Sequence, residues 1–318
     1  MNRVIRIGTR DSELALWQAK TVQQQLEDHG YKTILVPVKS TGDLVLDKPL
    51  YELGITGIFT KTLDIAMLNG TVDIAVHSMK DVPTALPIGI VQAAVLERAA
   101  TQDILVHKGA PDYTKPCTIA TGSLRRQAQW LHKYPHHHTT DIRGNVNTRL
   151  QKLADSHWTG AIFAKAGLER INVLPENYEV LDWMTPAPAQ GAMLIVAMEE
   201  DDFCTSACAK LNHTDTALCT HIEREFLRTL EGGCTAPIGA LATIQDEVID
   251  FKGVLFSLDG KTKIEVNERL SVSHSQGFGT DCALDILDNG GRKLMKAIKE
   301  AIKKYIALIP NPSPAEKG

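Results

Sequence analysis

Apolar positions in the first hundred residues change period in a regular order. Val4 to Ile7 is a short apolar run, and Leu14, Trp17, Val22 and Leu26 then recur at helical spacing over Leu14 to His29, closed by Gly30. A second apolar run, Ile34 to Val38, precedes a helical stretch from Thr60 to Leu68 that opens after Gly57 and ends at Gly70. Asp73 to His77 then has the continuous apolar character of a buried strand. This β-α-β-α-β order predicts an open parallel sheet. Ligands of such sheets sit at the carboxyl ends of the strands, where Thr9-Arg10-Asp11-Ser12 and His77-Ser78-Met79-Lys80-Asp81 both fall.

From Val91 to Val106 two strand-like runs flank the polar stretch Glu97 to Asp103, which carries the chain toward a second domain. A second α/β unit follows. Ile119-Ala120-Thr121 leads to a helix opening at Ser123, Thr139 to Arg143 to one opening at Asn145, and Ala161 to Ala164 to Lys165–Arg170. Thr185-Pro186-Ala187-Pro188-Ala189-Gln190-Gly191 is stiff and turn-rich, a return crossing that would complete a hinge. After a helix near Ala217 to Leu230 come long strand-like runs (Gly239 to Ile249, Phe251 to Ser257, Ile264 to Ser273) and a helix from Cys282 to Leu308. The expected division is 1–97 with 191–213 as one α/β domain, 98–190 as a second, 214–309 as an α+β third, and 310–318 as a disordered tail.

Length and composition agree with this layout. A chain of 318 residues with 43% hydrophobic content has material for two or three cores. The first residues read as a strand, not a signal peptide, and no apolar run reaches membrane-spanning length. Six cysteines in a chain of this length point to reduced thiols in a cytosol. Aromatics at 5% are too sparse for a nucleic-acid stacking surface.

Charge changes the picture most. In a chain of net charge −4, Arg125, Arg126, Arg143 and Arg149 fall within a 25-residue window, each near a Gly or Ser that can open a helix. Like charges about 8 Å apart repel by roughly 2 kcal/mol at an effective dielectric near 20, so a convergent cluster calls for an anion such as a polycarboxylate or phosphate. Thr9-Arg10-Asp11-Ser12, Thr121-Gly122-Ser123 and Arg143-Gly144-Asn145 share one strand–turn–helix layout that suits anion binding through free backbone N–H groups. The competing reading is ordinary helix capping beside solvated arginines.

Asp81 follows Lys80 just past a buried strand and before Val82-Pro83. Its carboxylate is either a surface salt-bridge partner or a group that holds a cationic intermediate and moves protons. Cys234 ends Leu230-Glu231-Gly232-Gly233-Cys234, where it is either an incidental loop thiol or a nucleophile or attachment point. Cys204, Cys208, His213, Cys219 and His221 lack zinc-site spacing and fit helix-buried thiols, so no metal is expected. His136-His137-His138 reads as a solvated stretch.

Five motifs in order resemble the porphobilinogen deaminase (hydroxymethylbilane synthase) family. They are Gly8-Thr9-Arg10 with Leu14 to Gln18, Ala75 to Pro83, Ser123 to Gln127, Arg143-Gly144-Asn145-Val146, and Leu230 to Cys234. The resemblance implies two periplasmic-binding-protein-like α/β domains with a hinged cleft, plus a C-terminal α+β domain. It implies a transferase that joins four porphobilinogen molecules head to tail, with loss of ammonia, into hydroxymethylbilane, which passes to the next tetrapyrrole-pathway enzyme. The cofactor would be a dipyrromethane primer held by a thioether at Cys234, and the catalytic group Asp81. Carboxylate arms would meet Arg10, Ser12, Ser78, Lys80, Thr121, Ser123, Arg125, Arg126, Arg143, Asn145, Arg149 and Arg170, with Gln18, Lys61 and Gln190 in secondary roles. A cytoplasmic monomer without nucleic-acid or membrane partners is implied too.

Two positions depart from the family pattern. Ile55-Thr56-Gly57 stands where many relatives have Gly-Lys-Gly in the lid region between Thr41 and Gly57, a loss Lys61 would partly offset; Ala189 replaces a usual glycine. The competing class is a non-catalytic anion-binding or sensor protein, which would use the arginines but not Cys234.

Overall fold

The computed structural model describes residues 3–39, 60–231 and 236–307. The first sheet begins with β1 (Val4–Thr9), α1 (Glu13–Asp28), β2 (Lys32–Pro37), α2 (Lys61–Leu68), β3 (Ile74–Ser78) and β4 (Ile90–Val95). The second contains β5 (Asp103–His107), β6 (Thr118–Ala120), α3 (Leu124–Lys133), β7 (His138–Thr140), α4 (Val146–Asp155), β8 (Gly160–Ala164), α5 (Lys165–Arg170) and β9 (Tyr178–Val180). The chain then returns to the first sheet as β10 (Met193–Met198), followed by α6 (Asp202–Ala209).

The strand orders are β2-β1-β3-β10-β4 and β7-β6-β8-β5-β9. Both sheets follow one plan, and neither is all parallel as the first apolar pattern predicts. Strands β1, β2 and β3 are parallel, but β10 runs antiparallel between β3 and β4. In the second sheet β6, β7 and β8 are parallel and β5 runs antiparallel between β8 and β9. In each sheet the inserted strand is the one that has just arrived from the other, so the chain crosses twice, over 96–102 and over 181–192. Nothing local in Met193–Met198 marks it as antiparallel; every residue from Met193 to Ala197 is buried, as a central strand requires.

The second crossing is sterically tight. Gly191 has φ +88, and a Cβ there would lie 2.6 Å from Ala99 O of the first crossing, so the two segments pass in backbone contact. Ala189 also lies at positive φ (+61), a conformation that costs an L-residue about 1–2 kcal/mol.

Beyond α7 (Thr214–Thr229) lies an antiparallel meander of β11 (Ile238–Gln245), β12 (Val248–Phe256) and β13 (Lys263–Ser271), then α8 (Phe278–Ile286) and α9 (Arg292–Ala307). Cys219, Ile222, Phe226, Phe251, Leu255, Phe278 and Ile286 join helices to sheet in one core. Two expected continuities are broken by backbone geometry. The run Gly239 to Ile249 turns at Asp246-Glu247, whose φ values of +50 and +58 suit a two-residue hairpin. The helix expected over Cys282 to Leu308 is interrupted at 287–291, where Gly290 has φ +101. The predicted tail at 310–318 lies outside the described residues.

Packing accounts for the cysteines and for the histidine run. Cys204 and Cys208 are buried on α6 and Cys219 on α7, the helix-buried thiols expected. The histidine run is not wholly solvated. His137 is buried, accepts a hydrogen bond from Trp130 Nε1 at 3.2 Å and stacks on Tyr134 with centroids 4.8 Å apart. No helix of the described residues is long and apolar enough to cross a membrane.

Candidate active site

The carboxyl ends of β1 and β3 place the first set of side chains. Ser12 caps α1, its Oγ accepting from Ala15 N at 3.4 Å. Gln18, buried on α1, donates from Nε2 to Ser78 Oγ at 2.9 Å, tying the helix to the end of β3. His77 is buried at that end, and burial together with the Arg10 charge lowers its pKa to about 4. It is therefore neutral near pH 7. Met79, Lys80 and Asp81 form a single 3-10 turn that Val82-Pro83 ends. Arg224, from α7, donates to the carbonyls of Val82 (3.0 Å) and Pro83 (2.6 Å), bracing the turn from outside.

The second sheet supplies its set in the same way. Ser123 caps α3 by accepting from Arg126 N (3.5 Å), and Asn145 caps α4 by accepting from Thr148 N (2.9 Å). Thr121 Oγ1 accepts from Ser123 N at 3.2 Å. Capping thus holds at Ser12, Ser123 and Asn145, while the arginines turn inward instead of into solvent.

Arg125 and Arg126 converge on Asp103, the fully buried first residue of β5. Arg125 donates to Asp103 Oδ2 at 2.7 Å and to Thr185 O at 2.8 Å. Arg126 donates to Asp103 Oδ1 from Nε (3.0 Å) and from its terminal nitrogen (2.8 Å), and to Ile162 O at 3.0 Å. Gln190, on the second crossing, donates to the same Oδ1 at 3.0 Å and to Thr101 O at 2.7 Å. Its Oε1 accepts from Lys80 Nζ at 3.1 Å. A continuous chain therefore runs from Lys80 through Gln190 and Asp103 to both arginines. Burial opposes ionisation of Asp103, but the two guanidinium groups outweigh it and hold the carboxyl well below the usual range.

Electrostatic coupling places the remaining groups. Burial lowers Arg149 to about 10; Arg126 and Arg143 push in the same direction and Asp81 opposes them. Its Nε donates to Gly144 O at 2.9 Å. Lys80 is lowered to about 8, first by burial and then by Arg126, with Asp81 and Asp103 opposing. Lys80, Arg125, Arg126, Arg143 and Arg149 thus face two carboxylates, Asp81 and Asp103, a marked excess of positive charge. Arg170 reaches the second crossing, donating to Gly191 O at 2.7 Å, with its guanidinium 5.7 Å from the Trp17 ring centroid. Lys61 is exposed at the start of α2 and joins none of these bonds among the described residues. Cys234 and the 41–57 lid region lie outside the described residues.

Three functional groups escape a reading of motifs. Asp103 supplies part of the negative charge that the arginine cluster demands; its signal is an acid heading the apolar strand Asp103-Ile104-Leu105-Val106. Glu223, fully buried, pairs with Arg98 at 2.6 Å and accepts from Ala189 N (2.6 Å) and Ala242 N (2.7 Å). One carboxylate thereby joins both crossings to β11. Its signal is position: Cys219, Glu223 and Phe226 share the buried face of α7. Arg224, the next residue, points the other way and has no sequence signal of its own.

Residues 5–206 match the family model "Porphobilinogen deaminase, dipyromethane cofactor binding domain", and 217–288 match "Porphobilinogen deaminase, C-terminal domain". The chain belongs to the porphobilinogen deaminase family. A porphobilinogen deaminase of Syntrophotalea carbinolica is 38% identical over 301 residues, covering 92% of this chain and 96% of its own. One of Moorella thermoacetica is 39% identical over 311 residues, covering 95% and 98%. A chloroplastic porphobilinogen deaminase of Oryza sativa subsp. japonica is 43% identical over 277 residues, covering 83% and 77%. The cofactor-binding match of this deaminase-family chain includes Asp81, Asp103, Gln190 and every arginine described above except Arg224, which lies with Glu223 in the C-terminal match.

Lys80 makes the site sensitive to pH. The Lys80 ammonium form is lost as pH rises through about 8. Affinity for a polycarboxylate is expected to fall between pH 7 and 9, and less so in Lys80→Arg, as read by calorimetric titration. In the ligand-free chain the sign for stability is opposite. Between about pH 8 and 10.5 the unfolded chain keeps the proton that folded Lys80 has lost, so stability from this group rises with pH across that window.

Proposed function

We propose that this chain joins four porphobilinogen molecules head to tail, with loss of ammonia, into hydroxymethylbilane on a dipyrromethane primer attached through a thioether at Cys234. The observation that carries the reading is Asp81 on a braced turn beside an excess of guanidinium and ammonium groups. The donor set fits the cofactor. Each pyrrole bears acetate and propionate arms, so two linked rings present several carboxylates, and buried cations in excess are complementary to them.

Bound, the primer would supply the free pyrrole carbon at which the first unit is joined. The protein's own groups do the rest. Arg10, Arg143, Arg149 and Arg170 hold ring carboxylates, Lys80 adds an ammonium, and Arg125 and Arg126 contribute the donor capacity that Asp103 leaves them. The hydroxyls and amides of Ser12, Ser78, Thr121, Ser123, Asn145, Gln18 and Gln190 orient those groups. Asp81 stabilises positive charge developing on the pyrrole being joined and accepts or returns a proton there. A fixed carboxylate does this with little reorganisation. We place the division at 1–97 with 191–213, 98–190 and 214–309, and the protein in the cytosol as a monomer, handing its product to the next enzyme of the tetrapyrrole route.

A non-catalytic polycarboxylate binder is the alternative, and intact mass distinguishes the two. The purified chain is expected to carry a dipyrromethane-sized excess that Cys234→Ser lacks together with all turnover; an unmodified wild-type mass would favour the binder. Arg224 gives a further prediction. Its loss frees the Asp81 turn while leaving the arginines of the carboxylate site in place, so Arg224→Ala is expected to lower kcat by roughly tenfold or more with a smaller change in KM. Steady-state kinetics showing only a raised KM would remove this bracing role.

A further inference from the structure

Away from Asp81, a cavity of about 360 Å³ opens between α3 and the strands β12 and β13. Its wall carries Lys133, Lys252 and Lys263, together with the rings of Trp183, Phe256 and His132. These groups are ordered by contacts of their own. Lys133 Nζ sits 4.3 Å from the Trp183 ring centroid. His132 donates from Nδ1 to Gly260 O at 2.7 Å and meets Phe256 edge to face, with centroids 5.2 Å apart. Glu265 pairs with Lys263 and also feels the charge of Lys252. Three ammonium groups against one carboxylate leave two positive charges beside two aromatic walls.

We propose that this cavity binds a planar aromatic dianion, its ring against Trp183 and Phe256 and its acid groups on Lys133, Lys252 and Lys263. Concave shape, aromatic lining and a few convergent charges are the ordinary make-up of a small-molecule site. The three lysines and the rings of Trp183 and Phe256 take no part in the site around Asp81, so the proposal is independent of the deaminase reading. The ten-residue helix α3 carries Arg125 and Arg126 in its first turn and lines the cavity with its last. A ligand here therefore ties that helix to the β12–β13 hairpin.

The test uses the full chain at low salt with naphthalene-2,6-dicarboxylate, 2-naphthyl phosphate and inorganic phosphate as probes, followed by calorimetry and tryptophan emission. The dicarboxylate is expected to bind at this site with quenching that Trp183→Phe diminishes. Lys252→Glu should weaken it at least tenfold while leaving porphobilinogen turnover and the melting temperature unchanged. Lys133→Glu should weaken it similarly, which guards against a folding defect in either variant. Comparison of the two naphthyl probes shows whether the acid is carboxylate or phosphate, and inorganic phosphate alone should bind far more weakly. Unchanged affinity in both lysine variants, equal binding of inorganic phosphate, or loss of probe binding in Arg149→Ala alone would overturn the proposal.

Discussion

Asp81→Ala is expected to retain part of its attached primer and to lose turnover by on the order of 10³-fold or more, since both charge stabilisation and proton transfer go with the carboxylate. The turn itself should persist, because Arg224 holds it through main-chain carbonyls and not through the Asp81 side chain. Asp81→Asn separates shape from charge: it keeps the volume, removes the anion, and should be nearly as inactive. Intact mass reads primer retention and a single-turnover assay reads chemistry. Wild-type turnover in either variant would remove Asp81 from the mechanism.

Removing Asp103 is expected to damage the fold before it damages the chemistry. The carboxylate is fully buried and accepts from Arg125, Arg126 and Gln190. Asp103→Ala leaves two buried guanidinium groups without their counter-ion, a loss of the kind that costs about 3–5 kcal/mol. Thermal melts should drop by on the order of 10 °C. The same cations would then be open to an external anion, so a polycarboxylate should restore more stability to the variant than to the wild type. Equal melting temperatures for variant and parent would show that the pair contributes no net stability, and unequal loss without polycarboxylate rescue would remove Arg125 and Arg126 from the ligand site.

Both results bear on how arginines are read from a chain. Four arginines in one window imply an anion, and that inference is sound as electrostatics. The window does not reveal that an acid some twenty residues upstream already balances part of the charge. Arg149 and Arg170 differ from Arg125 and Arg126 in this respect: burial lowers both to about 10, and among the described residues neither has a carboxylate partner held as closely as Asp103 is held by Arg125 and Arg126.

Local chemistry determined a good deal by itself. The helix openings at Ser12, Ser123 and Asn145 follow from side chains that satisfy free N–H groups within three residues, and Gly30 and Gly70 end helices by adopting positive φ. The motif residues around Asp81, Arg125 and Arg143 were legible for the same reason, since each lies on one short turn. What only the tertiary structure decided is everything that joins distant segments. The antiparallel insertion of β10, the Lys80–Gln190–Asp103 chain, the Glu223 knot and the brace from Arg224 span about 20 to 145 residues of sequence. Short-range periodicity carries no information about such pairings, because what selects them is the pairing of buried charges and backbone groups with partners that the chain meets only once it has folded.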